Sequence, residues 1–177
     1  MDTNVIRDWA WCKKWSNEER YQNDEVIRNY LKVLFNKLLA FRESGICELG
    51  ITNQIYTDYE KDTGQLPNFI EKIIIKFTPI SIPTISTLPM ILPTVLADSN
   101  MINEILQTVF PNSKLEHRMY GKNQKDALQL YAHWAAKRDF FITSDKSIET
   151  AKKTLLKNWG IDVKKLEEYI LSKNKSF

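Results

Sequence analysis

Apolar residues at Val26, Ile27, Tyr30, Leu31, Leu34, Phe35, Leu38 and Leu39 recur with the 3.6-residue period of a helix. That pattern predicts one long helix over 6–42, directly after the opening "MDTNV", with Gly45 of "RESG" placed to end it. "ICELGIT" reads as a short strand or a link between helices, and "NQIYTDYEKDTG" as a helix up to Gly64. In "NFIEKIIIKF" the β-branched residues favour a strand and the Glu-Lys pair a helix, with helix preferred at its start. Further helices are predicted in "ADSNMINEILQTVFPNS", capped by Asp98 or Ser99, and in "NQKDALQLYAHWAAKRD". "FFITSD" reads as a short buried strand ending in polar residues. "KSIETAKKTLLKNWG", closed by Gly160, and "VKKLEEYILSK" complete the helices. Helices alternating with short apolar strands imply α/β architecture with a parallel sheet.

One segment breaks this pattern. Residues 77–97 carry no charge over 21 positions but include Pro79, Pro83, Pro89 and Pro93. Each proline removes a backbone donor, so a membrane span is not expected. The segment reads as an extended or broken connection on the core, or as an apolar patch for a partner. The 177 residues, 43% apolar and 27% charged, suit one globular domain with a proper core. Two isolated cysteines, Cys12 and Cys47, and no signal peptide predict a reduced, cytoplasmic protein. The net charge of +3 permits nucleic-acid binding without arguing for it. From Lys146 onward eight Lys face four acids, most simply a solvated basic helix surface.

The chemistry rests on carboxylates. Asp145 follows the strand "FFIT", Asp126 stands at the start of an Ala-rich helix whose face runs through Leu130 and His133, and Asp2 begins "DTN". Each has an ordinary explanation: a helix cap for Asp145, a first-turn dipole residue for Asp126, a solvated terminus for Asp2. Brought together they would repel one another unless a divalent cation neutralised them, and hard oxygens suit Mg²⁺ or Mn²⁺. Trp9, Trp11 and Trp15 lie among Lys13 and Lys14, and read as core packing ahead of base stacking. His117 and His133 lack ligand-like spacing and read as structural.

"DTNV" near the start and "DALQLYAHWAAKRDFFITSDKSI" near the end resemble the PIN domain of metal-dependent ribonucleases, a family that includes toxins of toxin–antitoxin pairs. The resemblance implies a PIN-like three-layer α/β/α fold with a central, mostly parallel sheet. It also implies Mg²⁺- or Mn²⁺-dependent endonucleolytic cleavage of single-stranded RNA. The catalytic acids would be Asp2, Asp58, Asp126 and Asp145, with Asp2, Asp126 and Asp145 on the metal. Glu60, and more distantly Glu48, are alternatives for the second acid. Thr143 and Asn4 would hold the carboxylates, with Thr3 and Ser144 as weaker candidates, and Lys122, Lys125 and Lys146 would contact the RNA backbone. An antitoxin and a homodimer are the implied protein partners, docking on 77–97 or on the long helix after Asp2.

Two departures stand out. The family's first strand is reduced to Met1, so either the chain begins within that strand or its start is truncated. Residues 64–120 form a long Pro-rich and helical insertion within the single domain 1–177. The missing first strand and the undecided second acid suggest a second reading, a PIN-like binding or scaffold module without activity. A haloacid-dehalogenase-type phosphatase fits less well, because its loop needs a second Asp where Asn4 stands.

Overall fold

The computed structural model describes residues 1–14, 19–52, 78–80, 93–113 and 120–174. The fold is mixed α/β and mostly helical. In chain order the elements are α1 (Thr3–Cys12), α2 (Glu25–Glu43), β1 (Gly50–Thr52), β2 (Thr78–Ile80), α3 (Pro93–Val109) and α4 (Tyr120–Ala135). They are followed by β3 (Phe140–Ile142), α5 (Lys146–Thr150), α6 (Lys152–Trp159), β4 (Asp162–Lys164) and α7 (Leu166–Asn174). The strands form two parallel pairs, β1 with β2 and β3 with β4, in the registers Gly50↔Thr78 and Phe140↔Asp162. Parallel neighbours need a crossover, which α5 and α6 provide between β3 and β4.

Met1 and Asp2 lie between the two pairs. The Met1 amine donates to the Gly50 carbonyl at 2.8 Å, and the Asp2 N–H to the Ile142 carbonyl at 3.0 Å. Helix α1 then starts at once. Val5, Ile6, Trp9, Ala10, Trp11 and Cys12 are all buried, so it is enclosed nearly all round, as a central helix must be. Trp9 stacks on Phe35 of α2 at 4.9 Å between ring centres. One core joins α1, α2, β1 and α7, and a second joins α3, α4, α5, α6 and β4. Successive strand residues point to opposite faces, and β3 uses both: Ile142 enters the first core and Phe141 the second.

Several predicted boundaries are corrected. The helix over 6–42 is two helices: α1 begins at Thr3, and Lys14 (φ +57°) and a turn at Tyr21–Asn23 separate it from α2. Asp24 starts α2 by accepting from the Val26 and Ile27 N–H groups at 2.7 and 3.3 Å. Helix α3 begins at Pro93 rather than at Asp98 or Ser99; proline suits a first helical position because its missing N–H is unpaired there anyway. Helix α4 begins at Tyr120, which moves Asp126 from the first turn into the second. Ala151 separates α5 from α6 in the predicted helix after Asp145. Asp162–Lys164 forms strand β4 where a helix was expected, since three residues are too few to show a period. Within 77–97, Thr78–Ile80 is extended and the residues from Pro93 are helical.

Other expectations hold. Gly45 (φ +75°) and Gly160 (φ +70°) end α2 and α6 in the left-handed conformation that glycine adopts without strain. Trp9 and Trp11 are core residues. Cys12 and Cys47 are free thiols. Trp15, Asp58, Glu60, His117 and the segments 53–64, 68–77 and 81–92 lie outside the described residues. No helix among the described residues is long and apolar enough to cross a membrane.

Because Phe35 is fully buried against Trp9, Phe35→Ala is expected to cost about 3–5 kcal/mol by urea denaturation. Val26→Ala, at a position 78% exposed, should stay within about 0.5 kcal/mol of wild type.

Candidate active site at the carboxyl ends of the strands

The bond from Asp2 N–H to Ile142 brings the Asp2 side chain beside the residues that leave β3. Asp2 is only 1% exposed, and Thr143 Oγ1 donates to its Oδ2 at 2.6 Å. The same hydroxyl accepts from the Asp145 N–H at 3.0 Å. Thr143 therefore ties the Asp2 carboxylate to the Asp145 backbone through one buried oxygen. Burial raises the Asp2 pKa above its ordinary value; the Thr143 hydrogen bond opposes the rise and the negative charge of Asp145 adds to it. Asp145 also caps α5, accepting from the Ser147 and Ile148 N–H groups at 2.8 and 3.3 Å. Both bonds fall on Oδ1, so the cap role and a ligand role for Oδ2 are compatible.

Helix α4 carries a polar stripe along this junction. Gln129 is 1% exposed and its Nε2 donates to Thr3 Oγ1 at 3.1 Å, while its Oε1 has no hydrogen-bond partner. Asp126, half-buried, lies one helical turn earlier on the same side, and His133 one turn later. His133 packs edge-on to Phe141 at 5.4 Å, and its Nε2 is also without a partner. Burial pushes its pKa down to about 3, so it is neutral and structural.

A second buried carboxylate, Asp8, stands two turns along α1 and was not anticipated. Its Oδ1 receives Arg20 Nε at 2.8 Å, Arg20 Nη2 at 2.7 Å and the Tyr21 hydroxyl at 3.0 Å. Burial raises its pKa, and the Arg20 charge opposes that. Arg20 and Tyr21 are delivered by an unusual backbone: Tyr21, Gln22 and Asn23 have φ of +50°, +54° and +55°. Left-handed non-glycine residues cost about 1–2 kcal/mol each. The Trp11 Nε1 bond to Asn23 Oδ1, at 3.2 Å, and the Tyr21–Asp8 bond hold the turn in place. An acid inside the apolar run "VIRDWAWC" was the available signal for Asp8; nothing local announces Arg20 or Tyr21.

The remaining predicted residues divide. Asn4, Asp145 and Lys146 line one cavity of about 480 Å³ together with Arg20, Tyr21 and Ser144. Lys122 is exposed and Lys125 half-buried on α4, just before Asp126. In the basic C-terminal stretch Lys152 on α6, Lys164 in β4 and Lys165 just after it pair with Glu168, Asp162 and Glu149, so the basic residues are distributed over a helix, a strand and a loop. Among the described residues no three His, Cys, Asp or Glu side chains converge at metal-holding distance. The donor chemistry nevertheless fits a hard divalent cation in part. Asp2 is a buried carboxylate without a cationic side-chain partner, Asp145 adds a second oxygen, and the orphan Gln129 Oε1 lies on the facing helix. No family model matches this chain, nor does any curated protein or solved structure.

Two stability effects follow. A carboxyl whose folded pKa is raised contributes fully below its unfolded pKa, near 3.8, and loses that contribution as pH rises. Without divalent cations, Asp2→Asn should therefore melt above wild type at pH 7, and the two should converge in acid; thermal scans across pH check this. Arg20→Met leaves Asp8 buried and uncompensated, and should cost about 3–5 kcal/mol at pH 7. That cost should shrink as pH falls through the raised pKa of Asp8, again by denaturation at several pH values.

Proposed function

We propose that this chain is a divalent-metal-dependent endoribonuclease of the PIN type, cleaving single-stranded RNA. The observation that carries the reading is the junction of Asp2 and Asp145 through Thr143 Oγ1. Its place in the fold supports it. In open parallel sheets, ligands bind beyond the carboxyl ends of the strands where the strand order reverses. Counting Met1 and Asp2 as the stub of a central strand gives the order β2, β1, stub, β3, β4, with the reversal at the stub. Helix cores on both faces of β3 support a PIN-like three-layer arrangement.

In this reading Asp2, Asp126 and Asp145 would hold Mg²⁺ or Mn²⁺, and Asp58, outside the described residues, would be the fourth acid. When bound, the cation would supply an activated water and neutralise charge on the phosphate. The protein's own residues do the positioning. Thr143 fixes the Asp2 carboxylate, and the α5 N–H groups fix that of Asp145. Burial of Asp2 keeps water away from one side of the site. Lys146 and Asn4, on the cavity beside Asp145, engage the phosphate backbone, with Lys122 and Lys125 further along the strand.

A toxin role, an antitoxin partner and a cytoplasmic location belong to the same proposal. The exposed apolar stripe Val26, Tyr30 and Val33 on α2 supports a homodimer or antitoxin contact there. The alternative, a binding module without catalysis, is favoured by the lack of three converging acids among the described residues.

Incubation of an unstructured RNA with protein and Mn²⁺ separates the two. Cleavage abolished by chelator, and reduced about 10²-fold or more in Asp145→Asn and Asp126→Asn, is the expected result. No metal-dependent cleavage by wild type would leave the binding module.

A further inference from the structure

We propose that Tyr21 is the platform on which one unpaired base of the bound RNA stacks, beside the phosphate held near Asp145; this rests on the nuclease reading above. Tyr21 and Asp145 line the same cavity of about 480 Å³, a size that accepts a nucleotide-sized group. The ring is a large aromatic surface left 41% exposed, although its neighbour Trp11, at 5.4 Å, is buried. Exposure here does not mean looseness. The hydroxyl is tied to Asp8, the Arg20 guanidinium lies 5.8 Å from the ring centre, and the backbone is left-handed for three consecutive residues. Strain of that kind persists only where the surroundings over-determine it, and here it fixes an aromatic at the rim of a polar cavity.

The remaining polar groups of the cavity fit the other half of a nucleotide. Lys146 is exposed and suits a phosphate, and the Asn4 side chain supplies a neutral hydrogen-bonding group, while the Ser144 hydroxyl is bonded to Asp8. Arg20 is committed to Asp8 and serves to hold the platform rather than the phosphate. A base inside a duplex has both faces covered by its neighbours, so a stacking ring selects single strands and tolerates any base. The ring therefore specifies strandedness, not sequence.

The test measures binding of a short fluorescent RNA by anisotropy, with Ca²⁺ in place of Mg²⁺ or Mn²⁺, using an intact strand and the same strand with one abasic position, scanned along its length. Wild type should lose about tenfold or more in affinity when the abasic position meets Tyr21, given the usual strength of base–aromatic stacking. Tyr21→Ala should weaken the intact strand by a similar factor and leave that abasic strand unchanged. Tyr21→Phe, which keeps the ring and loses the bond to Asp8, should retain discrimination between the two strands. Equal weakening of intact and abasic strands in Tyr21→Ala would mean a structural role and overturn the proposal, as would failure of wild type to bind RNA. RNA cleavage by wild type with no abasic position distinguished would overturn the platform while leaving the nuclease. Discrimination without any metal-dependent cleavage would uphold the platform and remove the nuclease.

Discussion

The hydrogen bond from the Asp2 N–H to the Ile142 carbonyl, with its counterpart from the Met1 amine to Gly50, joins two strand pairs that otherwise share no backbone contact among the described strands. Everything chemical in the fold follows from that bridge. It sets Asp2 level with Thr143, so that one hydroxyl can reach both Asp2 and the Asp145 backbone. It also starts α1 in the middle of the molecule, which is why a ten-residue helix holds six buried apolar residues together with Asp8. The bridge has a cost: the Met1 amine is desolvated, and its pKa falls to about 6, chiefly through burial.

Two buried acids on or next to α1 meet the same desolvation in different ways. Asp8 is matched by a guanidinium and a phenol from a strained turn and by the Ser144 hydroxyl. Asp2 has the Thr143 hydroxyl and the Asn4 backbone N–H as hydrogen-bond partners, with the Asp145 negative charge and the Met1 amine nearby. A carboxylate left in that condition is poorly explained by stability alone, since replacing it with a neutral residue would relieve the strain. The contrast between the two acids is one of partners: Asp8 faces a cation and Asp2 does not have a cationic side chain beside it.

The sequence disclosed the part of the site that is local. "FFITSD" announces β3 and offers Asp145 as a helix cap, and both are present; the Thr143 bond to Asp2 agrees with the holding role that only the resemblance implied. "DTN" identified Asp2, although only the fold could bury it. What stayed hidden depends on contacts distant in sequence or on very short elements. The break between α1 and α2 was masked because apolar residues continue on both sides of it, and a left-handed turn without glycine gives no compositional sign. Strand β4 was too brief for periodicity. The Pro93 start of α3 was taken for a breaker because prolines crowd before it. Asp8 was passed over because its partner arrives twelve residues later, on the far side of that break.

Thr143 and Asp2 are separated by 141 residues, and the Gly50 contact by 49, so the bridge closes a very long loop. Long-range parallel pairing forms late, because loop closure must precede its contacts. During synthesis, at about 5–20 residues per second, the first acid is made roughly 7–28 seconds before its hydroxyl partner exists. Neither carboxylate is held in position in that interval. Assembly of the Asp2–Thr143 contact therefore reports completion of the chain as far as β3, and a nascent or prematurely ended product carries Asp2 without the hydroxyl that fixes it.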